Sequence, residues 1–170
     1  MAISMYTASV PVFVRYLTAL SAILNKAAGH AAAKKIEPSV LVNSRLCPDM
    51  FALARQVQIA TDHAKGATAR LSGSEVPSCA DTETTFDELQ ARIAKTLDFV
   101  QSVKPEAFEG SGDKDITLTI AGKPLTFKGV EYLTQFALPN FFFHVTTAYG
   151  ILRHCGVEIG KRDFMGAPEK

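Results

Sequence analysis

The chain has no excess of either charge: 18 lysines and arginines stand against 17 aspartates and glutamates, a formal net charge of +1. Without a basic field there is no long-range pull toward nucleic acid or an anionic membrane, so neither is expected as a partner. Cysteine is scarce, and Cys47, Cys79 and Cys155 are odd in number, far apart and outside any Cys-x-x-Cys spacing. That excludes a disulfide framework or a zinc knot and fits reduced thiols in the cytoplasm. From Met1 to Val10 no basic segment leads into a long apolar one, and no run reaches the roughly 18 apolar residues of a membrane span, so the expected location is cytoplasmic. A phosphate-cradling loop is also missing: Gly110 and Gly112 lie in a polar stretch with no strand before and no helix after, which reads as a flexible linker. No nucleophile elbow is recognisable, and His154 and Cys155, adjacent on a helix and so about 100° apart, cannot pair by adjacency.

What the chain does have is apolar content, 47% of its 170 residues with 21% charged, enough for one domain over 1–170 with a substantial core. Tyr6, Val10, Phe13, Leu17, Leu20, Leu24 and Ala27 recur at helical spacing and predict a first helix, with Pro11 bending it or delaying its start and Gly29 and His30 ending it. Residues 31–47 read as a long ordered loop, with Val40 to Val42 able to form a turn of helix. Asp49 is expected to cap a second helix whose stripe runs from Met50 and Leu53 to Leu71 and closes at Gly73. After a linker containing Pro77, the run Asp81 to Thr85 offers caps for a third helix with the stripe Phe86, Leu89, Ile93, Thr96, Leu97 and Val100.

From Asp115 to Lys128 the period changes to two, with Ile116, Leu118 and Ile120 alternating with polar or small residues before Gly122 and then Leu125 and Phe127, which predicts a β-hairpin lying against the helices. A fourth helix follows from about Gly129 to Cys155, bent at Pro139. Around that proline Phe136, Leu138, Phe141, Phe142 and Phe143 surround the helix with apolar groups, so a second face needs a cover. The candidates are the 31–47 loop or a partner copy in a homodimer. Phe164, in the tail Gly160-Lys-Arg-Asp-Phe164, is expected to fold back onto the helices.

The element order, together with Arg45-Leu-Cys-Pro-Asp-Met50, Asp81-Thr-Glu-Thr-Thr-Phe86, Leu138-Pro-Asn-Phe-Phe-Phe-His144, Tyr149-Gly-Ile-Leu-Arg-His154 and Gly160-Lys-Arg-Asp-Phe164, resembles the DinB/YfiT superfamily, in a branch classed as a domain of unknown function. The likeness runs nearly end to end. It implies an all-α, DinB-like four-helix bundle with a long loop after the first helix and a small hairpin between the third and fourth. It also implies, for active relatives, a divalent metal such as zinc or nickel held by one histidine on the second helix and a His-x-x-x-His pair on the fourth, serving thiol-transfer, isomerase or amide-hydrolysis chemistry.

Here the fourth-helix pair is His144 and Ala148, and alanine cannot ligate. His63 matches the second-helix histidine, but a helical wheel sets it about 100° from the centre of its stripe, at a helix flank facing solvent. Two neutral ligands are too few for a three-ligand catalytic site, so no cofactor is expected, with His144 and His63 the weak candidates if a metal binds. His144 itself is central in its stripe and needs partners for its ring nitrogens. It is read as a polar core network, a ligand pocket or a metal ligand, with Asn140 one turn earlier and Gln56 across the helix pair as candidate neighbours. His154 and His30 read as charge at helix C-termini. Two function classes stay open. One is a noncatalytic bundle that binds a small apolar or amphipathic ligand or a second copy of itself. The other is a metal-dependent transferase or hydrolase, or an enzyme using His144 as general acid or base.

Overall fold

The computed structural model describes residues 3–166, so the first two and last four residues of the expected domain lie outside it. Ser4 starts helix α1 (Met5–Lys34), its hydroxyl accepting the Thr7 N–H at 3.1 Å. Pro11 is carried inside α1. The helix does not stop at Gly29 and His30 but runs through the alanine-rich stretch that follows, where helix propensity is high and Ala31 is still buried. Lys35, in the left-handed region at φ 56°, ends it. The expected ordered loop holds a short helix, α2 (Pro38–Val42), that buries Leu41 and Val42.

Helix α3 (Leu53–Ser72) begins later than expected and is not capped by Asp49. The segment from Cys47 to Met50 closes a turn through the Met50 N–H on the Cys47 carbonyl (3.0 Å), and the Ser44 carbonyl takes the Leu53 N–H (2.9 Å). Loop backbone therefore does the work assigned to the aspartate. Among the cap candidates of the next helix, α4 (Phe86–Ser102), Thr85 is used: its hydroxyl accepts the Glu88 N–H and the Glu88 carboxylate accepts the Thr85 N–H, a capping box.

A 3-10 turn (Pro105–Phe108) leads to strands β1 (Asp115–Ile120) and β2 (Lys123–Lys128), antiparallel with Asp115 opposite Lys128 and Ile120 opposite Lys123. Ala121 and Gly122 both have positive φ, 49° and 78°, the geometry a two-residue hairpin turn requires. Helix α5 (Gly129–Glu131), a π-helical turn (Tyr132–Ala137) and helix α6 (Leu138–His154) follow one another directly and make up the expected fourth helix. Pro139 has no N–H to give, and the wider turn just ahead of it accommodates the break in the hydrogen-bond ladder. Gly129 allows this helix to start where it does: a Cβ there would lie 1.8 Å from the Ser111 carbonyl oxygen.

The fold is mostly helical with one small hairpin, around one contiguous apolar core. By length and composition α1 is long and apolar enough to cross a membrane, against the expectation from run lengths. In this fold Phe13, Leu17, Leu20, Ile23 and Leu24 of α1 lie in the core. Helix α7 (Lys161–Met165) docks on α1 as expected of the tail, with Phe164 against Tyr16 (ring centroids 5.4 Å) and Asp163 paired with Lys26 (2.6 Å). The apolar run around Pro139 is covered mainly by elements not anticipated: Phe141 meets Phe13 of α1 edge-on, Phe142 meets Tyr16, and Phe136 lies under Phe127 of the hairpin. Phe143 stays 57% exposed.

The main polar tie in the interior is Arg92 of α4, its side chain 1% exposed. Its Nε donates to Thr61 Oγ1 (2.7 Å), Nη2 pairs with Asp62 (2.7 Å), and Nη1 pairs with Asp81 (2.8 Å) and Glu83 (3.0 Å). Burial alone would raise the Glu83 carboxyl, but its backbone hydrogen bond and the Arg92 guanidinium outweigh that and hold it below the usual range. One side chain so joins α3, α4 and the intervening linker. Replacing Arg92 by Met leaves Glu83 without a cation, while Asp62 keeps Lys65 and Asp81 keeps Arg55, and is expected to cost about 2–4 kcal/mol in urea unfolding. Arg92→Lys should recover only part of it, because an ammonium cannot reproduce the planar fork.

Candidate functional site

Helix α3 is buried around most of its circumference, with every residue from Ala64 to Ala69 in the interior. The helical-wheel reading of His63 assumed one buried face, and it fails for that reason. His63 is half-buried rather than at a solvent flank, edge-on to Phe136 at 5.7 Å and nearly parallel to His144, with 6.0 Å between ring centroids and 13° between planes. In the sequence the two positions are linked only through the resemblance.

His144 on α6 is buried and its Nδ1 lies 2.7 Å from Gln56 Oε1 on α3. The Gln56 amide is oriented by its other end, Nε2 donating to the Phe51 carbonyl at 3.1 Å, so the oxygen faces the imidazole and His144 Nδ1 must be the donor. Nε2 is then the acceptor of the neutral ring. It makes no hydrogen bond, yet among the described residues no buried side-chain nitrogen or oxygen is without a partner, so Nε2 keeps contact with solvent. Of the expected trio, the structure joins His144 and Gln56 and leaves Asn140 out. Asn140 Nδ2 donates instead to the Phe136 carbonyl, one turn back, at 2.7 Å.

Both imidazoles are held neutral. Burial and then the neighbouring His144 lower the His63 pKa to about 4, with Arg70 adding to the effect and Asp62 opposing it. His144 is lowered by burial and by the charge of Arg55. His63 borders a cleft of about 340 Å³ between α3, strand β1 and the π-helical turn, lined also by Asp62, Arg70, Leu118, Tyr132 and Phe136. The π-helical turn puts Tyr132 and Phe136 side by side on its wall, ring centroids 6.0 Å apart, and Arg70 Nη1 donates to Tyr132 Oη at 3.3 Å.

The residues do not fit a three-ligand metal centre. His63 and His144 supply two imidazoles, Ala148 is fully buried and has no donor atom, and Asp62 is tied to Lys65 and Arg92. Among the described residues no group of three or more His, Cys, Asp or Glu could hold an ion.

Sequence reasoning missed Arg70, Tyr132 and the Arg92 network. A usable signal existed for Arg92, which falls between Leu89 and Ile93 at core spacing with Asp81 and Glu83 just upstream. For Arg70 the signal was its position seven residues beyond His63 on one helix face.

Since folding depresses the His63 pKa from 6.5 to about 4, the unfolded chain takes up the proton first on acidification. The contribution is present above pH 6.5 and is lost as pH falls toward 4. Chemical denaturation from pH 7 to 4 should show wild type losing about 3 kcal/mol more than His63→Gln. His144→Phe leaves the buried Gln56 oxygen unpaired and is expected to lower stability by about 1–3 kcal/mol in the same assay.

The family model described as "Domain of unknown function (DUF1993)" matches residues 5–165. A crystal structure described as a DinB family member protein from Shewanella denitrificans is 45% identical, covering 98% of this chain and 94% of that one, with a TM-score of 0.90. No curated protein matches the chain.

Proposed function

Because the chain belongs to the DUF1993 family, a DinB-like branch whose function is unknown, we propose that it is a DinB-like four-helix bundle with a degenerate metal site that binds a small amphipathic molecule without transforming it. In this reading α1, α3, α4 and α6 are the four helices and the hairpin roofs the cleft. The observation that carries it is the state of His144. Gln56 fixes its tautomer, which leaves an acceptor nitrogen beside a second neutral imidazole, that of His63, and it is His63 that borders the cleft and its aromatic wall. General-base chemistry is a poorer fit, because burial and Arg55 oppose the imidazolium that a base must form, and Gln56 is an amide where a carboxylate would stabilise it.

Benzyl alcohol, an aromatic ring with one hydroxyl, is a suitable probe. Titrated against protein with labelled histidines, it should shift the His63 and His144 ring resonances saturably and leave those of His30 and His154 in place. Absence of any shift at His63 and His144 would overturn the binding reading.

The alternative, a metal-dependent transferase or hydrolase using His144 with His63, is tested by elemental analysis of untagged protein and by zinc and nickel titration of wild type and His144→Ala. Substoichiometric metal in both is expected. One equivalent bound by wild type and lost in the variant would put the metal reading first.

A homodimer is a second reading of the exposed apolar side chains Phe143, Phe51 and Leu46. Sedimentation equilibrium should then give a dimer for wild type and a monomer for Phe143→Asp.

A further inference from the structure

We propose that the ligand of the cleft is a small monoanionic carboxylate gripped by the Arg70 guanidinium, an inference that rests on the binding reading above. Among the described residues no carboxylate comes within salt-bridge distance of Arg70, in contrast to Arg92 and Arg55, each of which is paired. Its guanidinium makes one hydrogen bond, to Tyr132 Oη, and borders the cleft. A half-buried guanidinium with most of its donors unused is costly to hold unless something accepts from it.

Its position is built into the helix. Gly66 lies one turn earlier on α3 and is buried, and a Cβ at that residue would come within 2.4 Å of Arg70 Nη1. The arginine thus folds back across the helix at the place where a side chain is absent. His63, Gly66 and Arg70 share one face at spacings of three and four.

The rest of the cleft leaves that charge uncancelled. Asp62 borders it, but the carboxylate is held by Lys65 at 2.8 Å and Arg92 at 2.7 Å. Tyr132 Oη accepts from Arg70, so its own proton is free to point onward to a ligand oxygen. One fork and one phenol suit the two oxygens of a carboxylate, whereas a phosphate dianion calls for further cations or backbone amides that this cleft does not offer. Phe136, Leu118 and the His63 ring supply the apolar surround for the ligand body.

Benzoate and benzyl alcohol share a ring and differ in charge. Followed by NMR on the His63 and His144 resonances, wild type should bind benzoate at least about tenfold tighter than benzyl alcohol. Arg70→Gln should bring benzoate down to the level that benzyl alcohol shows in the same variant, with an unchanged circular dichroism spectrum and melting temperature showing the variant folded. Gly66→Ala retains the charge but pushes the guanidinium out of place, and it should weaken benzoate severalfold without touching the alcohol. Benzoate binding unchanged in both variants would overturn the role of Arg70 while the cleft stands. Binding of neither probe to wild type would overturn both readings.

Discussion

The buried guanidinium of Arg92 is the constraint on which the rest of the arrangement depends. Removing an arginine from water is affordable only when its fork is nearly filled, and here α3 supplies Thr61 and Asp62 while the linker supplies Asp81 and Glu83. Asp81 takes a left-handed backbone, φ 54°, and its carboxylate sits between Arg55 and Arg92. The linker is therefore pinned to the α3–α4 pair by charge rather than by apolar burial. The network also reaches the cleft. With Lys65 it occupies Asp62, the residue before His63, whose charge still favours a His63 cation but is outweighed by burial and by the neighbouring His144.

Much of the fold was legible because its signals are local. The stripes of α1 and α4, a cap within the run Asp81 to Thr85 and the alternation and turn glycine of the hairpin each follow from backbone chemistry within a few residues. The start of α3 was not legible, since the acceptor for its first amide is the Ser44 carbonyl nine residues earlier, and backbone groups carry no sequence signature. His63 was misplaced for a different reason. A wheel reports where apolar residues cluster, but α3 has neighbours on nearly every side, so even Lys65 and Gln58 are buried and the direction of the stripe no longer identifies the solvent side.

The π-helical turn has a comparable effect on the last helix. A wheel carried back from His144 through Pro139 assumes a constant 100° per residue, and the wider turn from Tyr132 to Ala137 breaks that phase. Asn140 sits past the break and in phase with His144, but its side chain serves the Phe136 carbonyl one turn back instead of the His144 ring. The same irregularity gives Tyr132 and Phe136 their place on the cleft wall. A proline read from sequence only as a bend thus coincides with the element that shapes the cleft, in keeping with the concentration of π-turns at functional sites.

The two histidines are best understood through what a metal site demands of its ligands. Imidazoles must be neutral to coordinate, and burial that depresses their pKa meets that demand whether or not an ion is bound. Set against the three-histidine pattern that the resemblance implies, Ala148 offers no lone pair and His63 and His144 are the two imidazoles present. Ala148 is fully buried, so packing has filled the position with apolar contact. Gln56 now orients His144, a task that an outer carboxylate often has around metals, and an amide does so without adding negative charge. Around the cleft this sets the neutral imidazole of His63 beside an Arg70 that, among the described residues, has no carboxylate partner. A molecule bearing a carboxylate at one end and a hydrogen-bond donor at the other would satisfy both, without calling on the chemistry that a metal would have brought.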